Sequence, residues 1–342
     1  MSVPFASDNY AGVHPAIMSA ILQANEGFTG SYGNDEFTKR AVQQFKKYFG
    51  EDISVHFVFN GTGANVLGIS AVTQSFNSIL CSETAHIFVD ESTAPETFTN
   101  CRLVPLSHKH GKVLPEIVEK HIIRQGDMHH PQAKLLSISQ STEYGTVYTI
   151  EEIKTLSKVL KKYGLLFHMD GSRIANAAVS LGCEFREFTK DAGIDILSFG
   201  GTKNGMMFGE AVVFFNPELA QTIAFKHKQS MQLASKMRFI AAQFEAMLTG
   251  DLWKYNATHA NRMTKLLYDT IKDIPQIQIT QPVEANSIFA IVPPDWIEEL
   301  QKTNYFYVWN EHISEVRWMC AFNTPQEEVL HFAEVIRKLS NS

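Results

Sequence analysis

The sequence predicts an α/β fold with a mostly parallel central sheet, joined to a smaller C-terminal α+β domain. Three observations predict it. Short β-rich apolar runs alternate with helical patterns through the first two-thirds of the chain, and strand, helix, strand in series marks a parallel sheet with crossover helices. The length, 342 residues, is about twice that of an average domain. Beyond residue 216 a long helical stretch gives way to a second, shorter alternation.

VHFVFN (55–60) is the first strand candidate. Gly61 to Asn65 turns the chain, and ANVLGISAVTQSF carries apolar residues at helical spacing. The runs SILCS (78–82), LLSISQ (135–140), LLFHMD (165–170), DILSFGG (195–201) and AVVFFN (211–216) are the later strands. Before LLFHMD, EEIKTLSKVLKKYG reads as an amphipathic helix closed by Gly164. Residues 217–272 read as nearly all helix, broken around 249–251. IQIT, SIFAIVP, a helix near WIEELQKT, YFYVWN, VRWMCAF and a last helix from Pro325 form the second unit. The expected division is an N-terminal segment 1–30, a large domain 31–249 and a small domain 250–342. The first segment is expected to fold back on the small domain or on a neighbouring subunit.

Composition excludes several classes. With 30 Lys+Arg against 36 Asp+Glu the net charge is −6, the reverse of a nucleic-acid binder's basic excess. Cys81, Cys101, Cys183 and Cys320 are scattered, with no CxxC or Cys/His cluster, so neither a metal site nor a disulfide framework is expected. The N-terminus has no basic region leading into an apolar one. The longest stretch free of Asp, Glu, Lys and Arg, 53–82, contains Asn60, Asn65, Gln74 and Asn77 and is too polar to span a bilayer. The chain reads as cytoplasmic. Its 19% charged residues fall below the roughly 25% of an average soluble protein, as expected if surface is buried between subunits.

Three local features carry chemistry. In SFGGTKNG (198–205) a β-run ends in two glycines before Lys203, where α/β folds place functional groups. In LLFHMDGSR (165–173) a strand ends at Asp170, a buried acid that is costly without a cation. In FNGTGANVLG (59–68) a Gly-Thr-Gly turn between strand and helix forms a cradle of backbone N–H groups suited to a phosphate. Singly, each has an ordinary reading: an exposed turn lysine, a helix-capping aspartate, a glycine turn.

Together, a phosphate cradle, a strand-end Asp and a strand-end Lys 33 residues later resemble the fold type I pyridoxal-5′-phosphate enzymes. The segments FASDNYAG, SYGND, FNGTGAN, ETAHI, QSTEYGTVY, HMDGSRIANA and DILSFGGTKNG, in this order, narrow the resemblance to the threonine aldolases. They are most similar to the branch with the low-specificity threonine aldolases and phenylserine aldolase. LASKMRF (233–239) and VRWMC (316–320) extend the resemblance to essentially the whole chain. Two segments depart from the commoner pattern: GTGAN stands where many members have GTMGN or GTAAN, and QSTEYGTV where they have a Glu-Asn-Thr motif.

The resemblance implies a role for each matching residue. Lys203 forms the Schiff base with pyridoxal 5′-phosphate, Asp170 pairs with its ring nitrogen, and Gly61, Thr62 and Gly63 hold its phosphate. His86 stacks on the ring, with Glu91 the acid near it. His129 approaches the substrate's β-hydroxyl, and the adjacent His130 is the alternative register. Arg173, counted among both cofactor and substrate contacts, and Arg317 clamp the substrate carboxylate, a task suited to the guanidinium fork. Ser7 helps them, and Tyr32 lies near the site, often from the adjacent subunit. The implied activity is cleavage of L-threonine, L-allo-threonine or related β-hydroxy-α-amino acids such as phenylserine to glycine and an aldehyde, by a homodimer or homotetramer. A fold type I enzyme of another reaction type, a β-eliminating lyase or an aminotransferase, shares the Lys, Asp and cradle. A family member that has lost catalysis and serves in binding is the third reading.

Overall fold

The computed structural model describes residues 3–341. Its large sheet has seven strands: β1 (Ser54–Val58), β2 (Asn77–Ser82), β3 (Arg102–Leu106), β4 (Gln132–Ser139), β5 (Leu166–Gly171), β6 (Ile196–Gly200) and β7 (Glu210–Phe214). Their order in space is β1-β7-β6-β5-β4-β2-β3. The strands run parallel except β7, which is antiparallel to both its neighbours. Strands β2, β6 and β7 are buried at every residue, as expected when helices cover both faces. Strand β3 was not foreseen, because Pro105 interrupts RLVPL. It is an edge strand, where a residue without an N–H is tolerated.

Local signals explain the helices between strands. Thr149 and Glu152 form a reciprocal capping box at the start of Ile150–Tyr163, and Gly164, at φ 67°, closes it. Ile153, Leu156 and Leu160 give that helix its buried stripe. The expected long helical stretch is less continuous. Residues 230–237 leave the helix between Ile223–Gln229 and Arg238–Leu248. Tertiary hydrogen bonds replace helical ones there: Gln232 accepts the Phe59 N–H, and the Ser235 carbonyl accepts that of Tyr32.

One buried side chain ties the central strands together. His168 on β5 bonds Ser137 Oγ on β4 (2.8 Å) and Ser198 Oγ on β6 (3.0 Å). Burial pushes its pKa down to about 4, so the ring is neutral, with one donor and one acceptor nitrogen. The same three strands deliver Ser139, Asp170 and Gly200 to one edge of the sheet.

The second sheet is antiparallel, with strands β8 (Gln278–Ile279), β9 (Ser287–Ile291), β10 (Tyr307–Asn310) and β11 (Glu315–Met319) in the order β8-β9-β11-β10. Trp318, Phe306 and Phe332 pack beneath it. The helix Leu252–Ile271 belongs to both units: Trp253 and Ala257 enter the large core, and Met263, Leu267 and Ile271 the small one. The N-terminal segment does fold back. Phe5 sits in the small core, its N–H bonded to the Tyr305 carbonyl and its own carbonyl to the Met319 N–H, both at 2.8 Å.

Candidate active site

At the carboxyl edge of the large sheet lies a cavity of ≈ 270 Å³, lined among others by Asn60, Gly61, Thr62, His86, Glu91, Ser172, Lys203 and Glu210. His86, Glu91 and Ser172 of its lining belong to an ordered chain of charge that runs behind it. Asp170 is buried; Oδ1 accepts from the Ser172 amide (2.9 Å) and hydroxyl (2.7 Å), and Oδ2 from Asn65 Nδ2 (2.8 Å). The same Asn65 nitrogen donates to Glu91 Oε1 at 2.9 Å, and His86 Nδ1 meets that oxygen at 2.8 Å. Burial alone would raise the Asp170 pKa. The His86 charge, the Asn65 and Ser172 bonds and Lys203 outweigh it and hold the carboxyl below the usual range. The bond to Glu91 raises the His86 pKa against its partial burial. Glu91 Oε2 and Asn65 Oδ1 are buried without partners.

The phosphate cradle is the start of the helix Gly61–Ser70. First-turn amides have no intrahelical acceptor. Asn60 Oδ1 takes the Gly63 N–H at 2.8 Å, and Gly61 and Thr62 line the cavity. Gly63 is closely covered: a Cβ there would stand 2.4 Å from Gln232 Cδ, so the Gln232 side chain would have to move. Gln232 fills the space over Gly63, and its Oε1 accepts the Phe59 N–H at 3.0 Å.

Lys203 follows β6 on a single turn, Thr202–Asn204. Asn204 anchors that turn, donating to the Trp253 carbonyl (3.0 Å) and accepting from Asn256 (2.9 Å). Gly200 lets the loops after β5 and β6 press together, since a Cβ would lie 2.4 Å from the Ser172 carbonyl oxygen. Burial and then the Arg173 charge lower the Lys203 pKa, against Asp8, Asp170 and Glu210.

The N-terminal segment meets both arginines. Asp8 grips Arg173 at 2.7 and 3.0 Å, and Asn286 donates to the same carboxylate at 3.1 Å. Arg317 donates to the Ala6 carbonyl (2.9 Å) and lies over the Trp309 ring, 4.9 Å from its centroid. Burial and the neighbouring Arg173 lower its pKa to about 10, which leaves it charged. Ser7 stands between these contacts, its hydroxyl capping the Asn9 amide.

Two expected residues lie elsewhere in the chain. His129 is exposed on the loop before β4, at the opposite end of the sheet. The eight residues of that strand place it roughly 23 Å beyond Ser139, which pairs with Asp170. His130 lines a separate cleft with Ser78 and Arg102. Tyr32 is exposed, with the Lys228 ammonium 5.0 Å from its ring centroid. Five further residues belong to the site without a role implied by the resemblance: Asp8, Asn65, Glu143, Glu210 and Gln232. Glu143 accepts the His86 N–H (2.8 Å) and the Ser139 hydroxyl (2.6 Å). Asp8, Asn65 and Glu143 lie inside the motifs FASDNYAG, FNGTGAN and QSTEYGTVY; Glu210 and Gln232 carry no local signal.

Residues 4–293 match the family described as beta-eliminating lyase. The chain is 41% identical to a low specificity L-threonine aldolase of a Pseudomonas species, over 100% of this chain and 99% of that one. It is 43% identical to the Pseudomonas aeruginosa protein of the same description, over 97% and 96%. The structure superposes on a Leishmania major threonine aldolase with a TM-score of 0.94 at 26% identity, covering 99% of both chains. A Thermus thermophilus aspartate aminotransferase, at 14% identity and a TM-score of 0.72, shares the fold. This chain belongs to the beta-eliminating lyase family, in its threonine aldolase branch.

Proposed function

We propose that the protein is a pyridoxal-phosphate-dependent aldehyde-lyase that cleaves L-threonine, L-allo-threonine and related β-hydroxy-α-amino acids to glycine and an aldehyde. The observation that carries this reading is a buried Asp170, its carboxyl held below the usual range by the charges of His86 and Lys203 among others, behind a cavity that Lys203 lines at a helix start. The donor set fits the cofactor: amides at Gly61 and Thr62 for a phosphate, a fixed anion for a ring nitrogen, a flat imidazole at His86 and an amine at Lys203. When bound, pyridoxal phosphate supplies an electron sink for the bond broken at the substrate's Cα.

The chain's own residues do the rest. Asp170 stays charged because Asn65 and Ser172 hold it, so a proton shared with it remains on the partner nitrogen. The lowered pKa of Lys203 gives a larger unprotonated fraction at neutral pH, the form that attacks a carbonyl. Arg317 and Ser7 offer donors to the substrate carboxylate beside Arg173. Orienting that carboxylate selects which Cα bond breaks. His129 is the base for the β-hydroxyl proton in this reading; exposed at the far end of the sheet, it would act in a neighbouring subunit's cavity.

A homodimer or homotetramer follows from that requirement. Leu22 and Phe28 are exposed, and an apolar cleft of ≈ 410 Å³ lined by Ile21, Met207, Phe208 and Phe239 opens beside the site. No helix among the described residues is long and apolar enough to cross a membrane. The four cysteines are unpaired, which supports the reducing cytoplasm as the compartment. The test is a panel of L-threonine, L-allo-threonine and L-phenylserine with glycine and aldehyde both quantified. Equimolar glycine and aldehyde support the reading; ammonia with a keto acid, or amino transfer, would replace it.

A further inference from the structure

Glu210 takes no step in the reaction proposed above, yet it forms one wall of the cavity that holds Lys203. The reversal between β6 and β7 puts it there. Gly200 and Glu210 pair across the antiparallel ladder, so β7 begins at the edge where β6 delivers the lysine. The carboxyl is buried. One oxygen accepts the Gly201 N–H at 2.6 Å and the carboxyl also bonds Thr202, whose own hydroxyl accepts the Gly209 N–H at 3.1 Å. Glu210 therefore ties down the two residues that precede Lys203.

Its charged surroundings are sparse. Among the described residues no cation lies within ion-pair distance of it, and Lys203 is the cation whose field reaches it. His86 and Glu91 line the same cavity. From β1 the residue opposite is Val58, and the helix start presents Gly61 and Thr62, none of them titratable. A neutral amide could accept the Gly201 N–H equally well. What only a carboxyl adds is a charge that can change beside the lysine.

We propose that Glu210 is a positioning residue that holds the turn before Lys203 and whose charge, added to those of Asp8 and Asp170, tunes the proton affinity of that lysine. Ionised, it holds a proton on the lysine nitrogen; neutral, it lets that proton go. Burial supports this by pushing the carboxyl up to about 7, where both forms are populated near neutral pH. The proposal rests on the reading of Lys203 as the cofactor lysine.

The test compares the wild-type protein with Glu210→Gln, Glu210→Asp and Lys203→Ala. Each is freed of cofactor, reloaded with pyridoxal phosphate, and its visible band followed across the neutral and alkaline range. In Glu210→Gln the band is retained, and the pH at which the lysine nitrogen gives up its proton falls by about one unit, a tenfold larger unprotonated share at fixed pH. Glu210→Asp draws the charge back and shows a smaller fall of the same sign. In the cofactor-free protein, the pKa of Lys203 read by NMR after ¹³C reductive methylation moves in the same direction. Should Glu210→Gln not fold, the Asp variant decides. An unmoved titration in a folded variant that keeps its band overturns the proposal alone. No band in the wild type, or a band that survives Lys203→Ala, overturns the reading of Lys203 and this proposal with it.

Discussion

Asp8 and Arg173, 165 residues apart in sequence, form a buried two-point ion pair at 2.7 and 3.0 Å. The N-terminal segment is thereby locked to the loop that follows Asp170. Burial would raise the Asp8 pKa, but the Arg173 charge and hydrogen bonds, with Lys203 and Asn286, lower it. A depressed carboxyl contributes stability above the ordinary aspartate range and loses it as pH falls through its folded value. Asp8→Asn leaves a buried guanidinium without its counter-charge, which costs about 3–5 kcal/mol. Urea unfolding at neutral pH measures that loss, and the acid limb below about pH 4 flattens in the variant.

Asn65→Ala removes the one donor shared by Asp170 and Glu91. A hydrogen bond to a charged group is worth about 1.5–3 kcal/mol, so turnover falls about 10- to 100-fold. Asp170→Asn is more severe, because the charge itself is lost. Steady-state rates together with the affinity for pyridoxal phosphate separate the two effects. An Asn65→Ala protein with parental rate and affinity refutes the bridging role.

Lys203→Ala loses the visible absorbance of the lysine-bound cofactor, and turnover falls by orders of magnitude. The spectrum and the rate of aldehyde release check this together. The turn itself survives, since Asn204 and Asn256 hold it without the lysine side chain.

Gly63→Ala drives a Cβ into Gln232 and pushes that side chain off the Phe59 amide. Cofactor affinity is expected to fall, read by fluorescence titration with pyridoxal phosphate. Gln232→Ala clears the space, so the double variant recovers part of the loss. A double variant as weak as the sum of the two single ones contradicts the clash.

His129→Ala slows threonine cleavage by about two to four powers of ten but spares exchange of glycine's α-proton, which has no hydroxyl to deprotonate. Subunit mixing tests where the histidine acts. Lys203→Ala and His129→Ala proteins, each strongly impaired alone, regain cleavage activity when refolded together if His129 serves its neighbour. Mixtures that gain nothing mean that His129 does not serve its neighbour, a His129→Ala protein that cleaves threonine at the parental rate places the base elsewhere, and the same pair of measurements on His130→Ala checks the register.

Much of the fold and half of the site were legible because they are local. A strand followed by a glycine turn and a helix start is written in consecutive residues, so the cradle at Gly61 and the strand ends at Asp170 and Lys203 could be read directly. The capping box at Thr149 and the stop at Gly164 are local in the same way. Strand β3 escaped because Pro105 is tolerated only at a sheet edge, and edge position is a property of the assembled sheet.

The amino-acid sequence by itself determined the chemistry available to this protein: a lysine, an aspartate, arginines and a phosphate cradle, at spacings that an α/β fold brings to one edge. Tertiary structure alone decided how they are paired and charged. The antiparallel return of β7 sets Glu210 beside the Lys203 turn, the fold-back of the N-terminus sets Asp8 on Arg173, and a non-helical detour sets Gln232 on Gly63. The direction of strand β4 leaves His129 at the far end of the sheet. Each of these juxtapositions joins residues separated by turns or whole domains. Burial then moves proton affinities in ways that no spacing along the chain encodes, because desolvation depends on everything that packs around a group.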